Sequence, residues 1–206
     1  MSASEPRRRE RILVTAAIAS SLLASALVLY AVAGRLASFE GYAVSGYVGL
    51  LGYQLEVLGS SVRAPPLESV KAISVVDALI ALAGLALALA GALALARGRL
   101  SLAGELSSAA CIASALSLAL TQSLVRVVAE DVIPALPVRG VFATPAGRLA
   151  LEAPVVNESL ALTVFHDARA LVLLWATLGL ALAVASAYVA WRRLERERAL
   201  PAAGSP

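Results

Sequence analysis

The sequence predicts an all-α membrane bundle of four transmembrane helices with a small extracellular antiparallel β-sheet cap formed by the two long loops. Three observations lead there: four apolar runs at residues 12–34, 70–96, 101–128 and 169–191, a sorting of arginines between the segments that join them, and an alternating pattern in the two longer connections. Each run exceeds the ~20 residues an α-helix needs to cross a hydrocarbon core of ~30 Å. With 60% of its 206 residues hydrophobic and 15% charged, the chain lies outside ordinary soluble composition.

The flanking charges set the expected orientation. The basic N-terminus (1–11), the short turn (97–100) and the tail (192–206) hold ten arginines against four glutamates, a net +6. The connections 35–69 and 129–168, with the span ends beside them, hold seven basic and eight acidic residues, a net −1. The positive-inside rule then places both termini in the cytoplasm and both long loops outside, in a multi-pass protein of the cell membrane. Tyr30 near the outer end of the first span, and Tyr188 and Trp191 at the inner end of the fourth, suit interfacial positions. Ala31-Val32-Ala33 after an arginine-led apolar run also resembles a signal-peptide cleavage site. The run exceeds the roughly 7–15 residues of a signal peptide, which favours a retained anchor.

In the first loop, Tyr53-Gln54-Leu55-Glu56-Val57 alternates with period two and reads as a strand, and Gly41 to Val48 reads as another with glycines at its bends. In the second, Val138–Ala143 and Arg148–Glu152 flank Thr144-Pro145-Ala146-Gly147, a turn sequence that predicts a hairpin. Leu160 to Phe165 is also β-compatible, and the turn before it carries Asn157-Glu158-Ser159, an N-glycosylation acceptor pattern. Strands from both loops are expected to pair into one sheet. Tyr42, Tyr47 and Tyr53 are candidate extracellular contacts, set against the plainer expectation that strand tyrosines pack within the cap.

This layout resembles that of claudin-like and other tetraspan proteins in architecture. Their loop cysteines and tryptophan-containing signature are absent, since the one cysteine is Cys111 inside the third span. No functional residue or junctional role carries over from them.

Within the membrane, small residues recur at spacings of three and four in three series: Asp77, Ala81, Gly84, Ala88, Gly91; Ser107, Ala110, Ser114, Ser117, Thr121; and Ala176, Gly179, Ala183, Ser186, Ala190. Such stripes let helices approach closely. Asp77, about two turns below the outer boundary, is the residue singled out, because an ionised carboxylate in hydrocarbon costs at least ~2.5–3.5 kcal/mol. Counting inward along antiparallel spans puts Gln122 at similar depth, with Arg126 one turn nearer the surface. These two are the expected partners, and His166 and Asp167 at the mouth of the fourth span would complete an outer polar cluster. Helix locking is the plain role for Asp77, and ion or proton handling with His166 as a proton-carrying neighbour is the sharper one.

No spacing of metal ligands, no nucleophile with a base, no phosphate loop and no haem motif is found, so no catalytic residue, metal or cofactor is expected. The arginines sit where lipid headgroups would be, which argues against nucleic acid and for the bilayer as their partner. The expected function is therefore non-enzymatic: an accessory, scaffold or envelope-complex subunit that displays its β-cap and acts with a protein partner or as a homo-oligomer. The alternative is a small transporter or channel-like oligomer with an ion or proton site at Asp77.

Overall fold

A computed structural model describes residues 4–41, 44–136, 140–144, 147–151 and 155–167, together with Val172, Trp175, Ala176, Leu178, Gly179, Leu182 and Tyr188. The described chain is mostly helical, with a small antiparallel sheet, and three of its helices are long and apolar enough to cross a membrane. The seven residues described in the fourth predicted span are all helical, and the remainder of that span lies outside the described residues.

Helix α1 (Ser4–Ala33) begins well before the predicted apolar run and takes in the arginine-rich segment, with Pro6 in its first turn, where a missing N–H costs no helical hydrogen bond. Helix α2 (Pro65–Ala96) likewise starts five residues earlier than its apolar run. The prolines at 65 and 66 set φ for a first turn, and Glu68 in that turn suits the positive end of the helix. At its other end Gly98 takes φ 74°, its N–H bonds Leu95 O at 3.0 Å, and the Arg99 N–H bonds Ala94 O at 2.9 Å. This is a Schellman stop, which requires a left-handed residue and so favours glycine. Helix α3 (Leu100–Val127) follows directly.

The third run continues past its expected end at 128. A π-helical turn, Val128–Val132, leads into a short helix, α4 (Ile133–Ala135), so helical structure reaches residue 135. Pro134 explains the widened turn: it has no N–H to donate and its ring crowds the carbonyl four residues earlier. The Ile133 N–H bonds Val128 O across the wider turn.

Between α1 and α2 lie strands β1 (Arg35–Glu40), β2 (Val44–Gly49), β3 (Tyr53–Val57) and β4 (Ser60–Ser61). After α4 come β5 (Gly140–Thr144), β6 (Gly147–Leu151), β7 (Val155–Glu158) and helix α5 (Leu160–His166). The main sheet has the order β4-β3-β2-β1-β7, with every neighbouring pair antiparallel. Both connections thus contribute to one sheet, through pairs such as Ser38 with Asn157 and Phe39 with Val156. The predicted hairpin forms as β5–β6, with Thr144 opposite Gly147, in a separate two-stranded sheet. Leu36, Phe39, Val44, Val48 and Leu55 are buried. Gly46 has φ 141° and its α-carbon lies so close to the Gln54 carbonyl that a Cβ would collide with it.

One expectation is corrected. Leu160 to Phe165 is helix, not strand, because the Ser159 hydroxyl accepts the Leu162 N–H at 3.2 Å and caps the first turn. The helical phase then buries Ala161, Leu162 and Phe165 together. The strand is the preceding segment, Val155–Glu158, so the Asn157 tripeptide sits at a strand end and not in a turn.

The chain divides into two units whose boundaries fall within the helices. Unit one comprises Met1–Ala26, Ile80–Leu116 and Leu173–Pro206. Its core has Val14, Ile18, Ala94 and Ala103 packed with Leu22 and Leu106, and Ala17 packed with Cys111 and Leu182. Tyr188 lies against Gly104 and donates its hydroxyl to Leu100 O at 3.4 Å. Unit two comprises Leu27–Leu79 and Ser117–Val172 and holds the strands. Large apolar side chains stay uncovered along the helices, among them Leu79, Leu93 and Ile112 at about 60% exposure. Bare leucine on this scale is costly in water and ordinary against lipid.

Candidate functional site: a buried acid between two helices

Asp77 is fully buried, and so are Ser74, Ser117 and Thr121. Ser117 and Thr121 are four residues apart on α3 and therefore share a face. Their hydroxyls donate to the two oxygens of the Asp77 carboxylate: Ser117 Oγ to Oδ1 and Thr121 Oγ1 to Oδ2, each at 2.5 Å. Ser117 Oγ also lies 3.3 Å from the backbone oxygen of Asp77. Ser74, one turn earlier on α2, returns its hydroxyl to Val70 O at 2.8 Å. The acid is thereby held bidentately between α2 and α3 by neutral donors. Among the described residues no buried side-chain nitrogen or oxygen lacks a hydrogen-bond partner.

The polar cluster expected around Asp77 is distributed differently. Arg126 pairs with Glu130, its Nε 3.0 Å from both carboxylate oxygens, on an exposed face where such a pair contributes little. His166 Nε2 lies 3.9 Å from the same Glu130. Arg126 and His166 therefore meet on Glu130, a residue the sequence reading did not select although its four-residue spacing from Arg126 was visible. Gln122 is half-buried beside Thr121. Asp167 is exposed and closes α5, its N–H bonding Thr163 O at 2.8 Å. Ser117 and Thr121 were visible as members of a small-residue stripe and not as partners of the acid.

A second polar seam runs between α1 and α3 in unit one. Ser21 Oγ meets Cys111 Sγ at 3.1 Å, and Ser25 Oγ meets Ser114 Oγ at 3.0 Å. All four groups are buried and neutral hydrogen-bonding partners. Gly84 gives the room: a Cβ there would stand 3.1 Å from both Ser25 Oγ and Ser114 Oγ.

Of the three tyrosines, Tyr42 lies outside the described residues. Tyr47 is half-buried, with the Arg35 guanidinium 4.5 Å above its ring centre. Tyr53 accepts the Ala64 N–H at 3.0 Å and donates to Glu68 at 3.2 Å, fastening β3 to the start of α2. Both described tyrosines therefore have work within the unit. A cavity of about 270 Å³ beside Tyr53 is lined by Gln54, Arg63, Glu68 and Lys71. A larger one of about 880 Å³ at the α2–α3 turn is lined by Arg11, Arg99, Glu10 and Glu105 together with apolar residues. Asn157 is exposed on β7. No group of three or more metal-binding side chains occurs among the described residues.

No family model matches the chain, and a comparison with curated proteins gives no match. Three apolar spanning-length helices with lipid-suited faces place it among membrane proteins in general.

Proposed function

We propose that the chain is a non-enzymatic, four-span membrane protein, an accessory, scaffold or envelope-complex subunit that displays a β-cap outside the cell and works with a protein partner. Both termini lie in the cytoplasm in this reading. The observation that carries it is the sheet joining both connections: β7 adds to β1, so two loops far apart in sequence build one surface. A sheet assembled from both loops is an investment in a shaped exposed surface, and short connections would have sufficed to link helices alone.

The test is mass analysis of the full chain extracted natively in mild detergent. A stoichiometric complex with another protein is expected. A chain that is recovered alone and shows a robust catalytic activity overturns the reading. A closed homo-oligomer would favour the second reading, a small transporter or channel-like oligomer, for which the complete burial of Asp77 is the specific support. That reading requires Asp77→Asn to abolish a flux in proteoliposomes without disturbing assembly.

A further inference from the structure

Asp77 is the one completely buried charged-type side chain among the described residues, and its hydrogen bonds come from hydroxyls alone. Among the described residues, the other ionisable groups on the helices of this unit are exposed: Glu68 and Lys71 on α2, Tyr30 on α1, Arg126 on α3, Glu130 and Asp131 in the π-turn, and His166 and Asp167 at the end of α5. A carboxylate without a cation is disfavoured in a hydrocarbon setting. Neutralisation by a bound metal ion does not fit the geometry. A hard cation gathers about six or more oxygen ligands, whereas this site offers one carboxylate and two hydroxyls, and no group of three or more metal-binding side chains occurs among the described residues. A proton fits between the carboxylate and a hydroxyl.

We propose that Asp77, Ser117 and Thr121 form a proton-binding site, occupied by a proton at neutral pH, in which the Ser117 hydroxyl changes its acceptor when the proton binds. Without the proton, Ser117 donates to Oδ1 and Thr121 to Oδ2. With it, Oδ1–H donates to Ser117 Oγ, and the Ser117 proton turns to the Asp77 backbone oxygen, already 3.3 Å away. Thr121 keeps donating to Oδ2 throughout. The proton comes from water and returns to water, and no bond to carbon changes. Both states are fully hydrogen-bonded, a property that a carboxyl held by hydroxyls has and one held by arginine lacks. The inference is independent of whether the chain acts as a subunit or a transporter.

Infrared difference spectroscopy on the full chain in lipid bilayers at pH 7 tests it. The wild type minus Asp77→Asn spectrum is expected to show the carbonyl band of a protonated carboxyl, and Ser117→Ala is expected to move that band by removing the acceptor of the acid proton. A difference spectrum with carboxylate bands alone overturns the proposal. Should Asp77→Asn fail to fold, the wild type minus Ser117→Ala spectrum decides: a shifted protonated-carboxyl band supports the site, and its absence overturns it.

Discussion

The two units use the same kind of side chain along α3 for different ends. In unit one, Ser114 and Cys111 meet Ser25 and Ser21 of α1 as neutral pairs at 3.0 and 3.1 Å. In unit two, Ser117 and Thr121 together serve a single acid of α2. A neutral pair that loses one partner forfeits a modest bond, because the hydroxyl left behind can turn to its own helix backbone, as Ser21 already does with Ala17 O at 2.9 Å. A buried carboxyl that loses its donors has no such recourse. Equal-looking stripes of serine and threonine therefore carry unequal consequences, and the partner across the interface decides which.

The difference predicts an order of effects. Replacing both hydroxyl partners, Ser117→Ala with Thr121→Ala, is expected to destabilise the chain by about 3 kcal/mol, since two sites on a buried carboxyl go unsatisfied. An unfolding titration with SDS in mixed micelles measures this, and a loss near that of a single neutral bond would break the comparison. Tyr53→Phe separates membership of unit two from burial of an acid: it strands the Ala64 N–H and is expected to cost about 1 kcal/mol by the same titration. Ser25→Ala in the neutral seam is expected to cost least, about 0.6 kcal/mol, the scale of an average hydrogen bond between membrane helices. A Ser25→Ala loss larger than that of the double variant would reverse the argument.

The three helices of spanning length were legible from the length of their apolar runs, and β3 and the β5–β6 hairpin from alternation and turn residues. The extensions were not, because Arg7 to Arg11 and the segment from Pro65 to Ser69 are helical without being uniformly apolar. Strand β1 escaped because a bulge between Arg35 and Ala37 breaks its alternation and buries the adjacent Leu36 and Ala37. Leu160 to Phe165 was misread because its apolar residues suit either period, and the cap at Ser159 decides it. At the site, Asp77 stood out as an acid in an apolar run. Its partners did not, because depth counting favours the charged and amide side chains Arg126 and Gln122, whereas helix phase and close approach bring the hydroxyls of Ser117 and Thr121 onto the carboxylate.

The central claim, a four-span chain with both long connections outside, is tested most directly by cysteine labelling in intact cells. Cys111 is the one native cysteine and is buried, so a Cys111→Ala background accepts single reporters at Ser61 in β4 and Ser205 in the tail. The account predicts that Ser61→Cys reacts with a membrane-impermeant maleimide in intact cells and that Ser205→Cys reacts only after permeabilisation. Labelling of Ser205→Cys in intact cells, or protection of Ser61→Cys, would contradict it.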